Sequence, residues 1–190
     1  MGYRGCGDAR LTTTRFIVAT SIQVPIAEYL NTAYRPDREY VDGEVLERNV
    51  GKNEHSRLQA LLTIWFGRFE DEWGVAAFTE QRVQVSATRI RIPDVLLVPL
   101  APCPDVLVDP PILVVEILSP DDSYAETQRR ANDYLAMGVE TVWIIDPVNR
   151  TGRVCVGKAW TESETLQVPG TAIWVSLPEI FSRLDRTLAR

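Results

Sequence analysis

The chain is short of the residues on which most metal and redox sites rely. It has a single histidine, His55, which excludes multi-histidine zinc and di-iron sites. Its cysteines are Cys6, Cys103 and Cys155, an odd number, widely spaced and without a Cys-x-x-Cys pair. That pattern is neither a disulfide framework nor a zinc site, and it suits a reduced, cytoplasmic compartment. Lysine is nearly missing too. Of 20 basic residues only Lys52 and Lys158 are lysines and the other 18 are arginines, so a mechanism that needs a lysine has two candidates. No apolar run approaches the roughly 18–20 residues of a membrane span. The stretch from Phe16 to Thr20 is too brief for the core of a signal peptide. There is no glycine-rich phosphate loop to cradle a nucleotide triphosphate. Ser119 follows an apolar run but lacks the G-x-S-x-G setting of a hydrolase nucleophile. Positive charge is not in excess either: 20 basic against 26 acidic residues give a net charge of -6. This argues against a nucleic-acid binder that works by bulk charge, while leaving room for a local basic groove.

What is present suffices for a core. The 190 residues, 45% of them hydrophobic, have the length of one domain and need no disulfide to bury an interior. Residues 1–20 carry little pattern and read as an N-terminal arm; residues 21–190 read as a single domain. Ile26, Tyr29, Leu30 and Ala33 recur at helical spacing between Val24 and Ala33. Between Arg38 and Glu47, the pair Asp42-Gly43 separates two half-apolar runs, the strongest short-range hairpin signal. Residues 53 to 73 predict one long amphipathic helix with an apolar stripe from Leu58 to Phe69, Asn53 as N-cap and Gly74 as stop. Trp65, Phe66 and Phe69 in that stripe read as core rather than as stacking platforms.

From Val75 the period changes to two, with Val83 and Val85 alternating with polar residues. Val95 to Val98, Ile112 to Leu118 and Val142 to Ile145 are nearly unbroken apolar runs, as expected of strands buried on both faces. Between the last two, residues 123 to 137 predict a helix closed by Gly138. Arg153 to Val156 and a run near Leu166 to Val168 complete a sheet edge, and Leu177 to Leu188 is a short helix or turn. The expected class is α/β, a mixed sheet with flanking helices.

Acids inside greasy strands stand out. Asp94 opens one buried run, and Glu116 lies between Val115 and Ile117 in the most apolar of them. An unpaired buried carboxylate costs several kcal/mol, so each needs a cation, hydrogen-bond donors or a metal. On adjacent strands the two would converge, and two hard oxygen ligands at a sheet edge suit Mg²⁺ completed by waters and a substrate phosphate. The alternative is structural: Asp94 makes a turn after Pro93, and Glu116 pairs with a buried arginine.

Several pieces together resemble a known family. Tyr40-Val41-Asp42-Gly43-Glu44, His55-Ser56-Arg57-Leu58, Pro93-Asp94-Val95, Val115-Glu116-Ile117-Leu118-Ser119-Pro120 and Tyr134 with Gly138-Val139 occur in that order. They are followed by Val142-Trp143-Ile144-Ile145-Asp146-Pro147. The set, spanning roughly residues 24 to 185, resembles the Uma-type endonucleases of the PD-(D/E)XK restriction-endonuclease-like superfamily. The resemblance implies a restriction-endonuclease-like mixed sheet and a divalent-metal site, Mg or Mn, for phosphodiester hydrolysis in DNA, with a homodimer as one arrangement. It makes Asp94 and Glu116 metal ligands and the backbone carbonyl of Ile117 a third. It likens Glu44 and His55 to accessory active-site residues; on their own, Glu44 reads equally as a hairpin residue and His55 as a helix-end residue.

The lysine of the superfamily pattern would fall two residues after Glu116, where this chain has Leu118. In the Uma-type branch it lies on the following helix, four residues before the tyrosine, which here is Arg130. Arginine supplies a permanent charge and a fork suited to phosphate, but with a pKa above about 12 it is no general base. Lys52, just before the long helix, either reaches the site or is a solvated loop residue. Two functions follow: a metal-dependent endonuclease, or a catalytically weakened module of the same fold that binds nucleic acid or a protein partner.

Overall fold

The computed structural model describes residues 23–48, 52–120 and 123–188; the arm expected at residues 1–20 lies outside them. The elements in chain order are α1 (Ile26–Leu30), β1 (Arg38–Val41), β2 (Glu44–Glu47), α2 (Asn53–Gly67), α3 (Glu70–Trp73), β3 (Val75–Thr79), β4 (Arg82–Ser86), β5 (Arg89–Arg91) and β6 (Val95–Pro99). They continue with β7 (Val106–Leu107), β8 (Leu113–Ile117), α4 (Tyr124–Met137), β9 (Thr141–Asp146), β10 (Thr151–Val156), β11 (Ala159–Glu162), β12 (Thr165–Gln167), β13 (Trp174–Ser176) and α5 (Leu177–Asp185). A six-stranded mixed sheet runs β11-β10-β9-β8-β6-β3, beside a five-stranded sheet β2-β1-β5-β4-β7 and a β12-β13 pair. The expected mixed α/β architecture is what forms.

The six-stranded sheet is sandwiched. Val115, Ile117, Trp143 and Ile145 pack on one face with Leu58, Leu61, Leu62, Trp65 and Phe66 of α2 and with α5. Val114, Val142 and Ile144 pack on the other with Ala131 and Tyr134 of α4 and with Val83 and Val85 of β4. Alternate residues of one strand thus serve opposite faces, which is why β8 and β9 read as continuous apolar runs. Each fully buried aliphatic or aromatic side chain contributes about 1.5–3 kcal/mol. The α2 stripe alone therefore offsets much of the cost of ordering that helix.

β8 and β9 are parallel, in register Glu116↔Ile144, and α4 is their crossover. Ser123 caps α4 by accepting from the Glu126 amide, and Gly138 ends it at φ +111°, a backbone that favours glycine. The β1–β2 turn puts both Asp42 and Gly43 at positive φ, as the expected Asp-Gly hairpin requires.

Three local expectations need correcting. The long helix is two: α2 stops at Gly67, a poor helix former, and α3 resumes at Glu70 before the left-handed Gly74. Lys52, not Asn53, is the N-cap, and it makes no side-chain capping bond. The run near Leu166 does not extend the large sheet; it pairs with β13, while β11 forms the sheet edge. Hairpin partners decide such pairings, and β11 carried no strong alternation to announce it.

Candidate active site

The chain leaves the five-stranded sheet at the end of β5 and enters the six-stranded sheet at β6. Ile92-Pro93-Asp94 is that crossing. Asp94 stands at the entry to β6 and Glu116 near the end of β8, and the two strands are antiparallel neighbours with Val95 opposite Val115. The C-terminal end of β8 therefore lies beside the N-terminal end of β6. The pairing brings together two acids 22 positions apart in the chain; Asp94 is 3% and Glu116 2% exposed.

Each carboxylate is held by several groups. Oδ2 of Asp94 accepts the backbone N–H of Ile117 at 2.7 Å. His55 Nε2, from the first turn of α2, lies 3.2 Å from the same oxygen. Oδ1 accepts from Arg48 Nη2 at 3.0 Å, and Gln59 Nε2 donates to the Asp94 carbonyl at 2.9 Å. Glu116 is held from α4: Tyr134 donates its hydroxyl to Oε1 at 2.8 Å, and Arg130 donates Nε–H to Oε2 at 3.1 Å. Arg130 and Tyr134 are four residues apart and so share a helix face.

The two acids titrate in opposite directions. Burial would raise Asp94, but the His55 hydrogen bond and charge, the Arg48 charge and the Ile117 amide outweigh it and hold the carboxyl below its ordinary value. Burial pushes Glu116 up to about 7; Asp94 and Glu39 add to the rise, while Arg130 and Tyr134 oppose it. For His55, burial works against the charged form, yet the hydrogen bond and charge of Asp94 leave its pKa raised. Neighbouring acids driven apart in this way are characteristic of sites that do chemistry.

The donor set fits a hard divalent cation. Among the described residues no three Asp, Glu, His or Cys side chains form a closed metal cage. Two carboxylates remain, beside the Ile117 carbonyl. Extending the β6–β8 register sets Ile117 opposite Pro93, which has no N–H to offer that carbonyl. Few protein oxygens, with the balance left to water and phosphate, is how Mg²⁺ is commonly bound.

The other expected residues divide. Glu44 opens β2 at the hairpin turn and is exposed, well along the hairpin from the crossing. The buried acid of the hairpin is Glu39, which accepts from Arg91 Nη1 and from the Ile92 amide. Lys52 borders a cavity of about 430 Å³ together with His55, Pro120 and Pro147. Arg48, Gln59, Tyr134 and Glu39 were not singled out from sequence as site residues. Gln59 had a signal, one helical turn after His55; Glu39 was overshadowed by the turn that drew attention to Glu44.

Comparison with known proteins finds a family and a fold. A family model, Uma2, described as "Putative restriction endonuclease", matches residues 26–189. The fold resembles a crystal structure of a putative nuclease belonging to DUF820 from Anabaena variabilis, with TM-score 0.75 and 21% identity, covering 85% of this chain and 99% of that one. A weaker likeness, TM-score 0.40 at 12% identity, is to a DrdV–DNA complex, covering 73% of this chain and 12% of that one. No curated protein matches the sequence. Among the described residues no helix is long and apolar enough to cross a membrane.

Proposed function

The chain belongs to the Uma2 family, and from that premise we propose that it is a metal-dependent endonuclease that hydrolyses phosphodiester bonds in DNA. The observation that carries this reading is the pair Asp94 and Glu116, buried side by side at the ends of adjacent strands. They and the Ile117 carbonyl would hold Mg²⁺ or Mn²⁺. When bound, such an ion activates a water and stabilises charge developing on the scissile phosphate.

The chain's own groups prepare the site. The Ile117 amide and Arg48 fix both oxygens of Asp94, so its orientation is set before substrate arrives. Tyr134 holds Oε1 of Glu116, and Arg130 holds Oε2. Arg130 keeps a positive charge beside Glu116 at every working pH, where it can stabilise phosphate charge but take no proton. His55 stands with Nε2 3.2 Å from Asp94 Oδ2, and the hydrogen bond and charge of that acid favour its protonated form. Glu44, exposed on the hairpin, has no part in this reading. A homodimer would present two such sites to the two strands of a duplex.

A second reading has one observation in its favour. Both acids already meet protein cations, Asp94 with Arg48 and Glu116 with Arg130, as in a module that binds nucleic acid without cutting it. Plasmid nicking in Mg²⁺ and in Mn²⁺, beside Asp94→Ala and Glu116→Ala, separates the two. The nuclease reading expects cleavage that needs the metal and both acids. Wild-type protein no more active than these variants on duplex, single-stranded and branched DNA overturns it.

A further inference from the structure

The sheet face that carries Glu116 continues past the site. Across β8, β9, β10 and β11, Glu116, Ile144, Arg153 and Glu162 stand in one row of directly opposed residues. Strands lie about 4.8 Å apart, which sets the Arg153 backbone about 10 Å from that of Glu116. Over this end of the row lies Tyr124, the first residue of α4, exposed at 37%. The Arg153 guanidinium sits 5.0 Å from the Tyr124 ring centroid. Between these groups is a cavity of about 210 Å³, lined also by Leu118, Ile144, Asp146, Asn149, Thr151 and Glu162; Glu162 meets Arg153 Nε at 3.4 Å through Oε2, which leaves Oε1 for a ligand.

A structural cation–π pair would not need a cavity beside it, and an exposed tyrosine with no apolar neighbours would not need an apolar floor. Here a flat aromatic wall backed by a guanidinium, an apolar floor and a carboxylate rim occur together, in line with the buried acid pair. We propose that this cavity is a subsite for one unpaired nucleobase of the substrate, stacked on Tyr124 and presenting an N–H donor to Glu162. The proposal rests on the nuclease reading for the nature of its ligand. It adds a preference for DNA with an unstacked nucleotide close to the scissile bond. Stacking on an aromatic tolerates any base because each has a π-face; the carboxylate accepts from amino and ring N–H donors alike, so it orients the edge of the base.

The test is equilibrium binding of the full chain in EDTA, where cleavage does not interfere. The probes are a blunt duplex and the same duplex with a short single-stranded overhang carrying an aminopurine reporter. Wild type is expected to bind the overhang more tightly and to quench its fluorescence. Tyr124→Ala should lose about tenfold in affinity for the overhang and under about twofold for the blunt duplex, while Tyr124→Phe keeps the wild-type preference. Equal losses on both probes, no loss on either, or Phe as damaging as Ala overturns the subsite. A Tyr124-dependent quench without metal-dependent cleavage keeps the subsite and removes the nuclease reading. Cleavage with an overhang affinity indifferent to Tyr124 does the reverse.

Discussion

Two acid–arginine clusters, each with a buried centre, meet near the crossing between the sheets, and they solve the same electrostatic problem in opposite ways. Around Arg91, charge is closed on itself. Arg91 donates to Glu39 through Nη1 and to Asp133 through Nε and Nη2, and Arg89 spans Asp133 and Asp42. Each guanidinium bridges two acids, and each fork is met by carboxylate oxygens. Around Asp94 and Glu116, two carboxylates share one space. Arg48 approaches from the chain just past β2, His55 from α2 and Arg130 from α4, and one acid is driven below its ordinary value while the other is pushed to about 7. The first arrangement ties β1, β5 and α4 together. The second leaves a carboxyl that gains from a further positive charge. Burial of charge is common to both; only the unequal sharing marks a site for chemistry.

The comparison can be broken at several points. The largest effect is expected from Asp94→Asn, which keeps the shape and removes the charge. On the nuclease reading, metal-dependent plasmid cleavage should fall by about a thousandfold, the upper range for loss of one electrostatic group in an active site. Next is Arg91→Met in the closed cluster. It leaves Glu39 and Asp133 buried without their shared cation and should cost about 3–5 kcal/mol in urea unfolding. If Arg91→Met proves harmless, the closed cluster is not what ties the hairpin to α4.

Arg130 gives a smaller effect and sharpens the difference. Arg130→Ala should lower the cleavage rate by about tenfold to a hundredfold. Arg130→Lys should keep much of the rate if a point charge suffices, and should match Ala if the planar fork is required. The smallest effect is in stability. The Glu116 pKa is raised from 4.5 to about 7 in the folded chain, so the folded state binds the extra proton and stability falls as pH rises through that window. Glu116→Gln should therefore raise the melting temperature at pH 8 and change it little near pH 4.5. A gain that is equal at both pH values would show that Glu116 is not the group responsible.

Much of this was legible in the residues. The Asp-Gly turn, the period of α2, the Ser123 and Gly138 boundaries of α4 and the apolar runs of β6, β8 and β9 are local signals, set by backbone sterics and by the two side-chain periods. Asp94 and Glu116 were conspicuous because an acid in an apolar run must be accounted for. Arg48, Gln59 and Tyr134 were not visible as site residues, since nothing local says which polar side chain will meet a carboxylate across a sheet. Glu44 and Glu39 make the contrast plain. They flank the same turn, yet only the pairing of β1 with β5 buries Glu39 against Arg91 and leaves Glu44 in solvent.

The scarcity of histidine and lysine, the family pattern and the α/β class are properties of the sequence by itself. They follow from residue chemistry and from periods of two and 3.6 that each segment carries alone. Whether Arg130 lies beside Glu116 was a matter of three-dimensional placement. α4 must cross from β8 to β9 and lie back over the sheet before Arg130 Nε comes within 3.1 Å of the carboxylate. The row from Glu116 to Glu162 likewise exists only once four strands are in register. Local rules choose the elements; long-range pairing, driven by burial of the apolar faces, chooses which charges become neighbours.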